Sequence, residues 1–358
     1  MTADDRAVRE PLTYAAAGVD VTAGDRSVEL MSEWVAKARR PESVGGIGGF
    51  AGLFDASALA AYRRPLLATS TDGVGTKVSI AQRLGVHNTI GFDLVGMVVD
   101  DVVVCGAEPL FMTDYIACGR VVPERVAAIV EGIAKACVVA GCALAGGETA
   151  EHPGLLEPDE FDLAGAATGV VEADAVLGPD RVRVGDIVVA MAASGLHANG
   201  YSLVRRIVDR AGWSLDRDVP ELGRTLGAEL LEPTRIYTPA CLALIRADLD
   251  VHAFAHVTGG GIAANLARVL PPNITAAVIR STWSPPPIMR LLGTAGRVSE
   301  AELERTLNMG VGMLAVVAPD DADTAVHILE EHQVPAWIAG ETSSGNDAAE
   351  LAGGYSRG

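Results

Sequence analysis

Apolar residues form two kinds of pattern along the chain. Some are short continuous runs that end at glycine-rich turns, and others are longer stretches with helical periodicity. Short apolar runs between turn residues are typical of buried strands, and apolar positions three and four residues apart are typical of amphipathic helices. The pattern predicts strands at 65–68, 110–118, 141–145, 161–171, 186–193, 251–257 and 311–317, and helices at 28–38, 89–106 and 123–140 and after residues 77, 202, 233 and 261. This alternation of strands and helices predicts an α/β (α+β) fold.

The length and apolar content predict two domains. A chain of 358 residues exceeds one average domain, and 49% hydrophobic residues are enough for two cores. The segment 172–185, rich in glycine, proline and aspartate, has the composition of a linker. We therefore expect an N-terminal domain over 1–171, a C-terminal domain over 172–342 and a flexible tail over 343–358.

Charge and cysteine usage exclude several classes of protein. A formal net charge of −18 argues against nucleic-acid binding, which needs clustered lysine and arginine. No apolar run is long enough to span a membrane, and the N-terminus lacks the order of a signal peptide. The five cysteines form no C-x-x-C pair and lie in apolar contexts, which is typical of a reduced cytoplasmic protein.

The turn at 69–77 has the strongest chemical signature. It follows a predicted strand, precedes a predicted helix, and contains Thr71, Asp72, Gly73, Gly75, Thr76 and Lys77. Glycines let the backbone approach a bulky anion, and free N–H groups at a helix start can bind phosphate. A carboxylate there can hold a divalent cation. The alternative is a plain Asp-Gly turn, and the spacing of a Walker loop is absent.

A second glycine cluster lies nearer the N-terminus. Gly45, Gly46, Gly48 and Gly49 cannot belong to regular structure without a large loss of conformational entropy. The cluster is either a flexible loop or a flap that closes over the phosphates of a nucleotide.

Carboxylates recur in apolar surroundings. Asp93, Asp100 and Asp101 lie in the predicted helix at 89–106, where unpaired carboxylates are costly. One of them could lie at a solvated edge of the helix, but for all three together a metal or substrate role is favoured. Glu148 follows a predicted strand and a glycine pair, which repeats the arrangement around Asp72.

Two loops of the second half also carry candidate residues. His197 lies in a glycine-bounded loop after a strand, a position suited either to chemistry or to a stabilising hydrogen bond. Thr258, Gly259, Gly260 and Gly261 link a strand to a helix whose first N–H groups can bind a phosphate.

The motifs taken together resemble one family. In order, the chain carries AGVD, GGIGGF, TDGVGTK, GAEPL, GGETAE, HANGYSLV, PTRIY, TGGG and NMGVGM. This series, from about residue 14 to 340, resembles the phosphoribosylformylglycinamidine cyclo-ligases, also called aminoimidazole ribonucleotide synthetases. The chain departs from the family pattern at Ala15, where lysine is usual, at Asp100, where asparagine is usual, and at Leu196 and Ala198.

The resemblance implies a homodimer of two-domain subunits. Mixed sheets would be flanked by helices in each subunit, and the N-domain sheets would pair across the dimer. It implies ATP and Mg²⁺ near that interface, and ring closure of formylglycinamidine ribonucleotide with release of ADP and phosphate. With this chemistry, Asp72, Asp101 and Glu148 would hold Mg²⁺, and Lys77 would be the fixed cation at the phosphates. The flap would exclude water, the turn at 258–261 would bind the substrate phosphate, and His197 would move protons.

Two other functions stay open at this point. A sister enzyme of the same superfamily would use the ATP site as a kinase for thiamine monophosphate or selenide. A selenide enzyme would be expected to carry a reactive cysteine near the N-terminus, and no cysteine precedes Cys105. The chain could also be a nucleotide-binding partner protein without turnover, which the presence of Asp72, Lys77 and Glu148 argues against.

Overall fold

A computed structural model describes residues 12–346 and 348–356 of the chain. Its helices are α1 (Val21–Lys37), α2 (Val78–Leu84), α3 (Ile90–Val103), α4 (Pro123–Ala140), α5 (Tyr201–Arg210), α6 (Leu226–Leu230), α7 (Thr238–Arg246), α8 (Gly261–Ala267), α9 (Pro287–Gly296), α10 (Glu300–Thr306) and α11 (Ala322–Glu331). Its strands are β1 (Ser43–Val44), β2 (Leu53–Phe54), β3 (Pro65–Gly73), β4 (Glu108–Cys118), β5 (Ala143–Glu151), β6 (Phe161–Glu172), β7 (Ile187–Ala192), β8 (Asp218–Val219), β9 (Arg224–Thr225), β10 (Val251–His256), β11 (Ile274–Ile279), β12 (Val311–Val317), β13 (Ala336–Ser344) and β14 (Ala349–Ala352). The predicted α/β class with mixed sheets is confirmed.

The first half of the chain forms a four-stranded sheet in the order β3-β6-β4-β5. β4 and β5 are parallel, and the other neighbours are antiparallel. Residues of β6 alternate between buried and more exposed positions, as expected when only one face of a sheet is covered. Helix α3 packs against β3 and β6 on the covered face. Leu67 and Tyr115 are exposed, 63% and 40%, so the opposite face is not covered within this chain.

The second half forms a six-stranded sheet in the order β10-β12-β7-β13-β11-β14. All residues of β12 are buried, which explains its uninterrupted apolar run. Helices α7 and α11 pack against each other, and α11 also packs against β7 and β13.

Helix ends agree with the local sequence. Helix α4 begins at Pro123 and ends before Gly141, which has a φ of 69°, so both ends match the prediction. Helix α1 starts earlier than expected, since the side chain of Asp20 accepts a hydrogen bond from the N–H of Ala23 and caps it. No helix in the described ranges is both long and apolar enough to cross a membrane.

The expectation of an irregular tail is wrong for most of 343–358. Strand β13 continues to Ser344, and β14 pairs in parallel with β11, where Val278 lies opposite Leu351. Beyond β14, Tyr355 donates its hydroxyl hydrogen to Glu304 at 2.8 Å and stacks edge-on against Trp283. The small polar residues of this segment do not predict the short edge strand β14, which is stabilised by pairing with β11 and by packing against α8.

Candidate functional site

A cavity of about 600 Å³ lies between α1, the glycine cluster and the start of β5. Its walls are largely apolar and include Val28, Met31, Val35 and Leu144. The four predicted flap glycines also line it: Gly45, Gly46, Gly48 and Gly49. A cavity of this size and lining is typical of a small-molecule site.

The glycine loop, defined as residues 45–52 between β1 and β2, is held at its base and free at its tip. Gly52 packs so closely on the carbonyl oxygen of Ala145 that a Cβ atom would lie 2.1 Å from it. By contrast, a Cβ atom at Gly45, Gly46 or Gly48 would meet nothing within 4 Å. Phe50, at the tip, is fully exposed. This combination suits a loop that moves about a fixed base.

The turn after β3 presents its carboxylate to solvent. Asp72 is exposed, and its Oδ1 accepts only the N–H of the next residue, Gly73, at 2.7 Å among the described contacts. Gly75 has a φ of 67°, and the Thr76 hydroxyl lies 3.3 Å from that of Ser202 in the second half of the chain. Asp72 is therefore open to a ligand, and the turn contacts the second half of the chain through Thr76.

Lys77 does not have the predicted place at the phosphates. Its side chain is fully buried, and Nζ donates to Asp93 Oδ1 at 2.7 Å and to the carbonyl oxygens of His197 and Glu232 at 2.9 and 2.6 Å. These contacts use all three ammonium hydrogens. Burial lowers the pKa of Lys77 and raises the pKa of Asp93, while their mutual attraction acts in the opposite direction. In this structure Lys77 therefore joins the two halves.

Asp100 caps a helix of the second half. Its carboxylate accepts the backbone N–H groups of Tyr237 and Thr238 at 3.0 and 2.8 Å, and these are free N–H groups at the start of α7. Burial raises the pKa of Asp100 to about 6. Asp93 likewise accepts the N–H of Thr234 at 3.0 Å. The metal or substrate role favoured for Asp93 and Asp100 is therefore corrected, because both carboxylates are fully buried and used within the protein.

The three predicted metal ligands do not form a closed metal cage. No group of three or more His, Cys, Asp or Glu residues within 12–346 and 348–356 is placed to hold an ion. Asp101 lies 2.9 Å from Nδ1 of His256, a partner that sequence reasoning missed. Glu148 is exposed and lines the cavity, and its Oε1 accepts the N–H of Thr149.

His197 is also placed differently from the prediction. It is 1% exposed with a φ of 60°, and its Nε2 accepts the N–H of Ser194 at 3.2 Å. Burial lowers the pKa of His197 well below its usual value, so the ring is neutral at pH 7. A buried, neutral ring with one nitrogen already engaged does not support the predicted proton transfer to a bound substrate.

Two asparagines organise the turn at Thr258–Gly261. The side-chain nitrogen of Asn265 donates to the carbonyl oxygens of Thr258, Gly259 and Gly261. The N–H of Gly259 donates to Asn199 Oδ1 at 3.2 Å, which joins this turn to the loop that contains His197. Gly260 and Gly261 have φ values of 99° and 74°, which favour glycine. The sequence signal for Asn199 was its place directly before Gly200 in the loop after β7, whereas Asn265 lies inside α8 and had no such signal.

Asp114 is the functional candidate that sequence reasoning missed. It lines the cavity from β4, and strand register places it in one row with Asp72, Gly165 and Gly147 across the four-stranded sheet. Burial raises the pKa of Asp114 to about 7. The signal available was an aspartate inside a predicted strand, where this residue type is depleted.

Family models match both halves of the chain. The model described as AIR synthase related protein, N-terminal domain, matches residues 55–171, and its C-terminal counterpart matches 183–351. A phosphoribosylformylglycinamidine cyclo-ligase of Geobacillus kaustophilus (strain HTA426) is 50% identical over 95% of this chain and 98% of its own length. One of Thermosynechococcus vestitus is 47% identical over 96% of this chain and 99% of its own length.

Solved structures share the fold at low identity. Thiamine-monophosphate kinase from Stenotrophomonas maltophilia K279a is 21% identical, with a TM-score of 0.66, covering 91% of this chain and 96% of the kinase. The hydrogenase maturation protein HypE in complex with ATP is 17% identical, with a TM-score of 0.59, covering 92% of this chain and 91% of HypE. These likenesses concern the fold alone.

Proposed function

The chain belongs to the phosphoribosylformylglycinamidine cyclo-ligase family, and we propose how its residues carry out the reaction of that family. The enzyme uses ATP to close the imidazole ring of formylglycinamidine ribonucleotide in purine biosynthesis. The single observation that carries this function is identity of 44–50% to curated cyclo-ligases over 92–96% of the chain. The kinase and non-catalytic alternatives are not favoured, because the kinase resemblance is at 21% identity.

The reaction needs positioning and charge neutralisation more than covalent help from the protein. The γ-phosphoryl group passes from ATP to the formyl oxygen, a substrate nitrogen then attacks that carbon, and ADP and phosphate leave. The protein must hold the two substrates in line and keep water from the activated carbon. The glycine loop suits the second task, since its base is fixed and its tip can close over the cavity.

Mg²⁺ is the cation that fits the carboxylates of this site. Asp72 and Glu148 are exposed, have no cationic partner among the described residues and offer hard oxygen ligands. They lie on β3 and β5, the two edge strands of the four-stranded sheet, so within one chain each is proposed as a ligand of a separate ion position. Mg²⁺ is usually bound through one or two carboxylates together with substrate phosphates, so a closed protein cage is not required. When bound, the ion would neutralise charge that develops on the transferred phosphoryl group. Asp101 is the third candidate, although it already pairs with His256.

The remaining assignments concern the substrate, the assembly and the compartment. The turn at Thr258–Gly261, joined to Asn199, is proposed to bind the ribose phosphate of the substrate. The uncovered face of the four-stranded sheet, which exposes Leu67 and Tyr115, is proposed to pair with a second copy in a homodimer. The five free cysteines are compatible with a cytoplasmic enzyme.

The function is tested by coupling phosphate release to ring closure. Phosphate release should require formylglycinamidine ribonucleotide and match the ring-closed product one to one. Comparable turnover with thiamine monophosphate, or without a second substrate, would exclude the cyclo-ligase.

The metal assignment is tested separately with Asp72→Asn. This variant should fold normally and lose kcat by roughly 10²-fold, as expected for removal of one preorganised electrostatic contact. Unchanged turnover with the same Mg²⁺ dependence would remove Asp72 from the metal site.

A further inference from the structure

We propose that the C-terminal segment acts on the substrate half of the enzyme, and that Tyr355 is a positioning residue for two substrate-binding turns. The proposal rests on the function above, which assigns the substrate phosphate to the turn Thr258–Gly261, joined through Asn199 to the loop 195–200. The connection to Tyr355 runs through the support segment, defined as residues 304–310, which cover the end of α10 and its link to β12.

Both turns lie directly against the support segment. A Cβ atom on Gly261 would lie 1.7 Å from the carbonyl oxygen of Glu304. At Gly200, a Cβ atom would lie 2.8 Å from another backbone carbonyl oxygen of this segment. The side-chain nitrogen of Asn308 donates to the carbonyl oxygen of Gly195 at 2.8 Å. Because packing this close leaves no free space, a displacement of the support segment displaces both turns.

The C-terminal segment holds the support segment through one carboxylate. Glu304 accepts the hydroxyl hydrogen of Tyr355 at 2.8 Å and two guanidinium hydrogens of Arg280 at 2.7 and 2.9 Å. The same guanidinium donates to the carbonyl oxygens of Leu351 and Gly353, so it is bound to the C-terminal segment as well. Hydrogen bonds to a charged carboxylate are stronger than those between neutral groups, so these contacts fix the end of α10.

The ring of Tyr355 makes a second connection. It packs edge-on against Trp283, with the ring centroids 5.3 Å apart. The indole N–H of Trp283 donates to the carbonyl oxygen of Met309 at 3.0 Å. Met309 has a φ of 50°, a backbone conformation that a non-glycine residue keeps only where its surroundings stabilise it. Tyr355 therefore acts on the support segment directly at Glu304 and through Trp283 at Met309.

Removal of the Tyr355 side chain should loosen the two turns before any ligand binds. In Tyr355→Ala, hydrogen exchange at 195–200 and 258–261 should be faster than in wild type, while exchange in β4 of the other sheet should stay the same. Ser356→Ala is the matched control within the C-terminal segment. Its hydroxyl donates to the carbonyl oxygen of Ser281, outside the support segment, so exchange at both turns should not change.

Steady-state kinetics give a second readout that a purely structural role would not move. In Tyr355→Ala, KM for formylglycinamidine ribonucleotide should rise by about tenfold, as expected for loss of one hydrogen bond to a charged group, and KM for ATP should change by less than about twofold. Tyr355→Phe keeps the ring contact with Trp283 and should show a smaller rise. Leu329→Ala, at a buried position of α11, controls for reduced stability and should lower Tm without changing either KM.

A double-mutant cycle tests whether the hydroxyl of Tyr355 acts through Glu304. In a Glu304→Ala background, Tyr355→Phe should cause no further rise in the ribonucleotide KM, whereas full additivity would contradict this route.

The inference alone would be overturned if Tyr355→Ala left exchange at both turns and the ribonucleotide KM unchanged, or raised both KM values equally, with ribonucleotide-dependent phosphate release intact. Absence of that phosphate release in wild type would overturn the proposed function, and the inference with it.

Discussion

Replacing Lys77 distinguishes a structural cation from a phosphate ligand. In Lys77→Met the Asp93 carboxylate stays buried, and its remaining partner is Thr234, which donates from its N–H and its hydroxyl at 3.0 and 2.6 Å. Removing one partner of a buried ion pair costs about 3–5 kcal/mol, because an uncompensated charge remains. For a unit of about 150–250 residues, the size of either half of this chain, each kcal/mol lowers Tm by about 2–4 °C, so the expected loss is roughly 6–20 °C.

A second substitution shows where that loss originates. Asp93→Asn in the Lys77→Met background removes the unpaired negative charge of Asp93. It keeps an amide oxygen that can accept a hydrogen bond from Thr234. We expect this double variant to recover at least half of the lost free energy of unfolding, in line with the coupling seen between residues in direct contact.

The assay is thermal and urea unfolding of wild type, both single variants and the double variant, together with KM for ATP of each folded protein. The reasoning would be refuted if Lys77→Met kept the wild-type Tm but raised KM for ATP strongly, with no recovery from Asp93→Asn. That outcome would show that Lys77 acts at the phosphates of ATP and not as a structural cation.

Three further predictions concern Asp100, residues 43–50 and Tyr355. Burial raises the pKa of Asp100 from 3.8 to about 6, so ionisation of this carboxyl should lower the free energy of unfolding by about 3 kcal/mol as pH rises between these values. The stability of Asp100→Asn relative to wild type should therefore increase from pH 4.5 to pH 7.5 in EDTA. A constant difference between the two proteins would contradict this. Residues 43–50 should gain protection from hydrogen exchange when ATP binds, and equal protection with and without ATP would show a static loop. Tyr355→Ala should lower the free energy of unfolding, measured in urea, by about 1–3 kcal/mol. An unchanged free energy of unfolding would show that the C-terminal segment does not contribute to stability.

The sequence predicted the elements whose signals are local. Helix α4 lies between a proline and a glycine that fix its two ends, and strand β12 is a continuous apolar run. The turns around Asp72, Glu148 and Thr258 were also recognisable, because each combines a strand end with glycine. The short edge strand β14 was not, since it is stabilised by long-range contacts, namely pairing with β11 and packing against α8.

The roles of single side chains were less predictable, because long-range contacts decide them. Lys77 has the sequence context of a phosphate ligand, yet its three acceptors come from α3 and from residues far along the chain. Asp93 and Asp100 were recognised as unusual in an apolar helix. Asp93 is paired with Lys77 and Thr234, and Asp100 accepts hydrogen bonds from Tyr237 and Thr238. A sequence pattern shows that a buried charge needs a partner but not which partner it has.

The capping of α7 by Asp100 limits how the enzyme can exchange its ligands. Rotation of one half against the other would pull this carboxylate away from the N–H groups of Tyr237 and Thr238 and leave all of these polar groups buried without partners. The ion pair of Lys77 with Asp93 would separate in the same motion. A hinge motion at this junction would therefore cost free energy. The tip of the glycine loop, where added side chains would meet open space, can move without breaking such contacts. We expect the opening rate of that loop to set how fast ADP can leave.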